Sequence, residues 1–325
     1  MKPLEGKVAV VAGATRGCGR GIASALGEAG ATVYCTGRST RGKAPTGRRK
    51  KGKPFDLSKR PETIEETAEM VSARGGRGIA VQVDHTVAEQ VKKLFQRIKK
   101  EQGKLHILIN DIWGGEELTE FGKPFWEVTL AKGRTMLERA VFSHIITAHF
   151  AAPLLIETGQ GFIVEVTDGD SYYYRGNIFY DIVKTSVIRL AFAWARELRR
   201  RNIASVAITP GFLRSEAMLD HFGVTEANWK DAVKKEPNYI ASETPVFIGR
   251  AVAALAADPN LMKKTGKVFS SWELSDEYPF SDADGSRPHW GKHIEAQLGR
   301  FKKCDDAFYE YWFDGPMDKL FPNWP

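Results

Sequence analysis

Tyr180 and Lys184 are the pair of residues whose types and spacing point most directly to chemistry. They are four residues apart in a stretch with helical spacing, so both side chains lie on one face of a helix. A phenol can exchange a proton with a substrate oxygen, and a neighbouring ammonium group can lower the pKa of that phenol. We therefore interpret Tyr180 as an acid, and Lys184 as the residue that tunes it and anchors a ribose.

A glycine-rich loop lies between the first predicted strand and the first predicted helix. Gly13, Gly17 and Gly19 allow the backbone to turn sharply and to approach a phosphate, whose charge the N–H groups at the helix N-terminus bind. Thr15 and Arg16 belong to the same loop. The position of the loop, more than the triplet alone, predicts a dinucleotide site.

The end of the second predicted strand bears on which nicotinamide cofactor is bound. An NAD(H) site normally has Asp or Glu there, but this sequence has Arg38, Ser39 and Thr40. A guanidinium group can hold a 2′-phosphate with two parallel hydrogen bonds, and Arg16 could reach the same phosphate. We therefore expect NADP(H) rather than NAD(H).

Short apolar runs that alternate with helical stretches must position these residues. The predicted strands are at 8–12, 32–36, 78–83, 105–110, 162–167 and 203–209, and the predicted helices are at 19–29, 64–73, 88–101, 135–157 and 180–200. This alternation predicts an α/β fold with a Rossmann-type, doubly wound parallel sheet. We expect one domain at 1–270 and an aromatic tail at 271–325, which packs on this domain or on a partner subunit, or helps close a substrate pocket.

The net charge of +7 comes from one segment of the 325-residue chain. Residues 38–60 contain ten Lys or Arg and one acid, Asp56. A single basic loop is typical of a solvated insertion, here at about 41–60, and does not predict a nucleic-acid-binding face. Because the loop follows Arg38, we expect it near the adenosine end of the cofactor; anion steering, membrane lipid and RNA are the alternatives.

Cysteine and histidine usage gives few further signals. Three cysteines cannot form a disulfide framework in a chain of this length, which favours a reducing compartment. The apolar run at 8–12 is too short for a signal peptide or a spanning helix, so we expect a cytoplasmic protein without a membrane span. His289 and His293 have i,i+4 spacing but no clear third ligand, and we predict no metal.

Together these motifs resemble the short-chain dehydrogenase/reductase family over about residues 4–270. The resemblance is carried by the glycine loop, Asp84, Tyr180 with Lys184, and Pro210-Gly211. Residues 36–38, 125–127, 159–161 and 272–275 look like the dehydrogenase/reductase member 1 branch of that family. The resemblance implies a sheet of about seven strands, a nicotinamide cofactor, a small-molecule substrate and a homodimer or homotetramer.

The resemblance also implies which residues contact the cofactor. They include the glycine loop, residues 38–40, Tyr180 and Lys184. The further contacts that it implies are Asp84, His85, Asn110, Pro210, Gly211 and Phe212.

Two positions depart from the family pattern. The family has a Ser 12 or 13 residues before the tyrosine, where this chain has Asp168 and Thr167, and an ungapped fifth strand puts Asp168 in the place of that serine. The family also has an Asn on the helix after the fourth strand, but residues 111–176 contain none, and Glu138 is the best match. Two neutral groups are thus replaced by carboxylates.

Three functions are compatible with these carboxylates. A protonated Asp168 would donate to a ketone or aldehyde as serine does, in an NADPH-dependent reduction with Tyr180 as the acid. Ionised Asp168 and Glu138 would instead stabilise a cationic acceptor, such as an iminium or an amino ketone. The third function is a non-catalytic NADP(H) sensor or scaffold, against which the intact Tyr180 and Lys184 argue.

Aromatic residues follow several predicted strands, where open α/β sheets bind ligands. A moderately large or aromatic small molecule would fit such a lining, and packing against the tail is the alternative. We expect Trp113, Tyr172 and Tyr174 to contact the substrate.

Overall fold

A computed structural model describes residues 2–42, 55–57, 60–299 and 303. Within them, one sheet contains seven strands in the order β3-β2-β1-β4-β5-β6-β7, and every neighbouring pair is parallel. The strands are β1 Val8–Ala12, β2 Thr32–Gly37, β3 Arg77–Gln82, β4 Ile107–Asn110, β5 Gly161–Val166, β6 Ile203–Thr209 and β7 Val268–Ser270. The Rossmann-type parallel sheet confirms the predicted fold class.

Helices connect the strands and cover the sheet. In the described part of the chain they are α1 Gly17–Glu28, α2 Ile64–Ala73, α3 Ala88–Gln102, α4 Leu130–Leu137, α5 Ser143–Thr158, α6 Ile178–Leu198, α7 Glu216–Phe222, α8 Pro245–Ala257, α9 Ser271–Glu277 and α10 Trp290–Leu298. A π-helical turn, Glu138–Phe142, joins α4 to α5, so the helix predicted at 135–157 begins earlier than expected.

The alternation of side chains along β1 shows how the two faces of the sheet are buried. Ala9 and Val11 pack in one apolar cluster with residues of α1 and α8, whereas Val8 and Val10 pack in another with residues of α3 and α5. Because full burial of one Leu, Ile or Val side chain is worth about 1.5–3 kcal/mol, these two clusters hold the helices against the sheet.

The stretch Leu130–Thr158 is long and apolar enough to cross a membrane by length and composition. Ala148, Ala151, Leu154 and Leu155 of this stretch are buried in the core beside β4 and β5. The core helix of a doubly wound sheet has the same composition, so this stretch is weak evidence for a membrane span.

The predicted insertion and tail are described only in part. Residues 43–54, 58 and 59 of the insertion lie outside the described residues, as do 300–302 and 304–325 of the tail. From the insertion, Leu57 lines the cleft at the carboxyl ends of the strands and Arg60 is buried. From the tail, α9 and α10 bring Trp272 and Trp290 to the same cleft.

Candidate active site

A cleft with a volume of about 850 Å³ lies at the carboxyl ends of the strands. The order in which the strands are added to the sheet reverses between β1 and β4, and ligands of doubly wound folds bind at this switch point. The cleft runs from the glycine loop after β1, past the ends of β2 and β3, to the ends of β5 and β6. It is large enough for a bound dinucleotide or drug-sized ligand.

The glycine loop has the form of a phosphate cradle. Gly13 has φ +91°, and a Cβ there would overlap the main-chain oxygen of Asp111. Gly17, with φ +57°, begins α1, which has no side-chain cap at its N-terminus. The positive φ angles and open backbone of this turn allow the pyrophosphate of a dinucleotide to approach the N-terminus of α1. Gly13, Thr15, Arg16 and Gly17 line the cleft.

Two carboxylates hold amide groups of this turn. The Gly17 N–H donates to Oε2 of Glu216 at 2.9 Å, and the Gly19 N–H donates to Oδ2 of Asp111 at 2.5 Å. Glu216 also lies 3.7 Å from the Arg20 guanidinium, which ties α7 to α1. Gly19 itself is buried behind the lining, contrary to its predicted contact with the cofactor.

Cationic side chains gather at the end of β2. Arg16 Nη2 donates to Ser39 Oγ at 3.4 Å, and an Arg38 nitrogen lies 4.0 Å from an Asp84 oxygen. Arg38 and Ser39 line the cleft, whereas Thr40 does not. Arg16 also pairs with Glu62, at 3.3 Å. The two guanidinium groups and the hydroxyl of Ser39 form a site of suitable charge for a phosphate.

The other predicted cofactor contacts divide into two groups. Asp84, His85 and the three residues that follow β6 line the cleft, the last three being Pro210, Gly211 and Phe212. Asn110, by contrast, is fully buried behind the lining.

Tyr180 and Asp168 are in direct contact. The Tyr180 hydroxyl donates to Oδ2 of Asp168 at 2.7 Å. Asn177 caps α6 by accepting from the N–H groups of Phe179 and Tyr180, and so fixes the first turn that carries the tyrosine. Arg175 Nε donates to the main-chain oxygen of Asp168 at 2.6 Å. The structure thus brings Asp168 to the tyrosine, as the ungapped fifth strand predicts.

The environment of Tyr180 differs from the predicted one. Burial, followed by the Asp168 carboxylate, raises the pKa of Tyr180 well above its usual value. Lys184 Nζ lies 4.5 Å from the ring centre of Trp113 and 5.5 Å from that of Tyr180. Burial and the Asp168 carboxylate therefore determine the direction of the Tyr180 pKa shift, contrary to the expectation that Lys184 lowers it.

Asp111 and Glu116 are acidic residues of the cleft that the sequence reasoning did not single out. Burial raises the pKa of Asp111 to about 7, against the opposing effects of Lys184 and the Gly19 N–H. Burial also raises the pKa of Glu116, whose Oε2 is buried without a hydrogen-bond partner. Asp111 directly follows β4, and Asp84 lies two residues after β3. A position just after a strand could have indicated from the sequence that Asp111 lies in the cleft.

A buried polar network supports the floor of the cleft. Asn110 Nδ2 donates to one Glu165 oxygen at 2.7 Å, and His144 Nδ1 lies 2.6 Å from the other. His144 Nε2 is 2.9 Å from the main-chain oxygen of Ile112. Nε2 of His144 donates to the main-chain oxygen, and Nδ1 and Glu165 share one proton, since burial also raises the pKa of Glu165. Burial alone would lower the pKa of His144, but the Glu165 carboxylate raises it.

Aromatic rings surround the tyrosine, although they are not all the predicted ones. Trp113 packs edge-on against Tyr180 with 5.4 Å between ring centres, and Tyr173 also lines the cleft. Tyr172 and Tyr174 are exposed and lie outside the lining, so the structure does not bring them to the cleft, contrary to the prediction. Trp272 and Trp290 from the tail complete the lining.

Glu138 lies outside the cleft, contrary to the prediction. Its carboxylate is exposed and pairs with Arg134 of α4 at 3.1 Å. The buried residues of α4 and of the π-helical turn after it are Gly133, Met136 and Ala140, so Glu138 lies on the exposed face. In the described part of the chain, no group of three or more His, Cys, Asp or Glu is placed to hold a metal ion.

Comparisons with known proteins agree with this geometry. Residues 49–269 match the family model described as enoyl-(acyl carrier protein) reductase. The chain is 34% identical over 290 residues to mouse dehydrogenase/reductase SDR family member 1, covering 88% of this chain and 86% of that protein.

Two solved structures show the same fold. A short-chain dehydrogenase from Mycobacterium thermoresistibile has a TM-score of 0.70 and 19% identity, with 89% of this chain and 92% of that one covered. An NAD(P)-dependent gluconate 5-dehydrogenase from Beutenbergia cavernae, with NADP bound at low occupancy, has a TM-score of 0.62 and 22% identity, with 82% and 96% covered. With the glycine cradle, the Tyr180–Lys184 pair and a relative above 30% identity over most of its length, the chain belongs to the short-chain dehydrogenase/reductase family.

Proposed function

We propose that this oxidoreductase is an NADPH-dependent reductase that acts on a ketone or aldehyde of a moderately large small molecule. The observation that carries the proposal is the Tyr180 hydroxyl, held at 2.7 Å from Asp168 in a cleft that also contains a dinucleotide cradle. A protonated phenol beside a hydride-donor site is the arrangement that carbonyl reduction requires.

NADP(H) is proposed over NAD(H) because of the charges at the end of β2. Arg16, Arg38 and Ser39 would hold the 2′-phosphate, and no acidic residue follows β2 directly. The fold neighbour from Beutenbergia cavernae was crystallised with NADP, which is consistent with this choice. Glu62 pairs with both Arg16 and Arg60. Its single negative charge is therefore shared between two guanidinium groups and does not fully neutralise Arg16.

Each residue near the tyrosine has a separate role in this mechanism. When bound, the reduced nicotinamide supplies a hydride. Tyr180 donates its proton to the carbonyl oxygen, which gains negative charge; an alkoxide is a stronger base than a phenolate, so this transfer stays favourable despite the raised pKa. Lys184 would hold the nicotinamide ribose, and Asp168, which accepts the hydrogen bond of the Tyr180 hydroxyl, would position the phenol.

A homodimer or homotetramer is part of the proposal. Large apolar side chains are exposed on the helices α4 to α6, where a second copy would cover them; these are Leu130, Phe142, Ile145 and Ile182. Solvent exposure of such a patch is costly in a lone chain.

The test is a panel of ketones and aldehydes of increasing size, with NADPH absorbance followed at 340 nm. We expect turnover by the wild type and none by Tyr180→Phe prepared in the same way, which excludes contaminating reductases. NADPH should also raise the melting temperature more than NADH does. Stabilisation by NADPH with no turnover of any compound would instead support the non-catalytic sensor.

A further inference from the structure

We propose that the acceptor this site prefers is a cationic C=N group, an iminium or protonated imine, in place of a neutral carbonyl. The inference rests on the proposed function, because it names the substrate class of the same site. It comes from the position of the Asp168 carboxylate next to Tyr180, together with the aromatic rings of Trp113 and Tyr173 around that pair.

Among the described residues, neither of two nearby cations, Arg175 and Lys184, forms an ion pair with the Asp168 carboxylate. Arg175 donates to the main-chain oxygens of Asp168 and Ser171, and its guanidinium pairs with the Asp181 carboxylate at 3.0 Å. Lys184 Nζ lies over the Trp113 ring, at 4.5 Å. Among the hydrogen bonds of the described residues, that from Tyr180 is the one made to the Asp168 carboxylate. A substrate placed against the tyrosine therefore meets this carboxylate.

The surrounding rings suit the same charge. The rings of Trp113 and Tyr180 are nearly perpendicular at 5.4 Å between centres, and Trp272 and Trp290 line the cleft from the tail. Burial, followed by the Asp168 carboxylate, raises the pKa of Tyr173 to about 12, so this ring stays a neutral phenol. A carboxylate combined with aromatic rings is the chemistry that recognises organic cations.

The two reactions change the charge at this point in opposite ways. When a ketone accepts hydride, negative charge builds up on the oxygen beside Asp168, which like-charge repulsion disfavours. When an iminium accepts hydride at carbon, the π pair of the C=N bond moves onto nitrogen and the positive charge passes to the oxidised cofactor. The acceptor and the nicotinamide ring together carry a net charge of +1 before and after the step. Asp168 therefore stabilises this positive charge in the substrate complex and in the product complex.

The role of Tyr180 then depends on the nitrogen. A fully substituted iminium becomes a neutral tertiary amine without any proton: iminium cation plus NADPH gives amine plus NADP⁺. A neutral imine needs one proton in addition, which Tyr180 supplies to the nitrogen. The iminium reaction should therefore tolerate loss of the phenol proton, whereas ketone and imine reduction should not.

Activity assays can use substrates with one bicyclic skeleton. The probes are N-methyl-3,4-dihydroisoquinolinium, neutral 3,4-dihydroisoquinoline at high pH, and 1-tetralone. We expect the wild type to reduce the iminium with a kcat/KM about tenfold or more above that for 1-tetralone, and Asp168→Asn to remove this preference. Tyr180→Phe should keep most iminium activity and lose ketone activity. Glu138→Gln, which alters an exposed carboxylate outside the cleft, is the control and should change neither rate.

A binding measurement decides the matter independently of turnover. N-methylisoquinolinium and the isosteric neutral 2-methylnaphthalene are titrated into the protein saturated with NADP⁺, with tryptophan fluorescence or calorimetry as the readout. We expect the cation to bind about tenfold more tightly to the wild type and no more tightly than the hydrocarbon to Asp168→Asn.

The possible failures are distinguishable. Reduction of 1-tetralone that depends on Tyr180, with no preference for the cation in either assay, would overturn the cationic acceptor and leave the proposed function standing. A preference for the cation in binding that survives Asp168→Asn would also overturn the inference, since Asp168 would not be its cause. If no carbonyl or C=N compound oxidises NADPH, the proposed function fails, and equal binding of cation and hydrocarbon would then reject the inference as well.

Discussion

The Tyr180 hydroxyl donates a hydrogen bond to the carboxylate oxygen Oδ2 of Asp168, with 2.7 Å between the two oxygens. A hydroxyl at the position of Asp168 could donate to a substrate oxygen, but an ionised carboxylate can only accept. The contact also keeps Tyr180 protonated, because burial and the Asp168 charge both raise its pKa. Both effects favour the neutral phenol, which is the form that can donate a proton.

Arg38 should determine the choice between the two cofactors. Arg38→Leu removes a guanidinium that we assign to the 2′-phosphate, and a hydrogen bond to a charged group is worth about 1.5–3 kcal/mol. We expect the NADPH Kd to rise about 10- to 100-fold while the NADH Kd stays within about threefold, as measured by cofactor fluorescence. Arg41→Leu is the matched control, since Arg41 is exposed and paired with Glu69. Equal weakening of both cofactors by Arg38→Leu would count against NADP(H) specificity.

Asp111 should make cofactor binding depend on pH. Its pKa is raised to about 7, so it is neutral below that pH and adds a negative charge beside the phosphate cradle above it. NADPH affinity should therefore fall as pH rises from 6 to 8.5, by about three- to tenfold if one proton is taken up on binding.

Asp111→Asn provides the control for this titration, because the 2′-phosphate of NADPH ionises in a nearby range. The variant should bind with nearly constant affinity above pH 7. A pH profile that is the same in the variant and the wild type would show that Asp111 does not titrate against the cofactor.

Glu216 should compete with the cofactor for the glycine loop. Its carboxylate accepts the Gly17 N–H at 2.9 Å, and this amide belongs to the turn assigned to the pyrophosphate. Glu216→Gln removes the charge and keeps the shape, so we expect the NADPH Kd to fall about two- to tenfold. Calorimetric titration measures it. Weaker binding by the variant would instead mean that Glu216 organises the loop for the cofactor.

Much of the fold could be predicted from the sequence because strands and glycine turns depend on residues that are close together in the chain. Short apolar and β-branched runs predicted β1 and β6 at their observed bounds, and the ungapped β5 predicted where Asp168 would lie. These features depend on backbone geometry and on side chains near one another in the chain.

The remaining features depend on contacts that the sequence does not specify. Glu138 was matched by position, but the buried side of α4 and of the π-helical turn after it contains Met136 and Ala140, so its carboxylate faces solvent. Asp168 was predicted to stand in the place of the family's serine, whereas the distance between Lys184 and the Tyr180 ring was not predicted. Glu216 and Trp290 reach the cleft through long connections, which no local pattern encodes.

Glu165 should be important for stability because it is the buried partner of His144. Glu165→Ala leaves a buried imidazolium without its carboxylate, and breaking such a pair costs about 3–5 kcal/mol. Urea denaturation should show this loss in the free energy of unfolding. Glu157→Ala, which breaks an exposed pair with Lys99, is the control and should cost at most about 1 kcal/mol. A similarly small loss for Glu165→Ala would indicate that the buried pair is uncharged.

The most direct test of the central claim is the single-turnover rate of NADPH oxidation by Tyr180→Phe on a carbonyl substrate. Wild type and variant are compared at saturating NADPH, with Tyr174→Phe, an exposed tyrosine outside the cleft lining, as the control. Loss of a general acid costs about 10²- to 10⁴-fold. The account predicts a loss of that size in Tyr180→Phe, with the NADPH Kd within about threefold of wild type, and no loss in Tyr174→Phe. A Tyr180→Phe rate within about fivefold of wild type would contradict the assignment of Tyr180 as the acid.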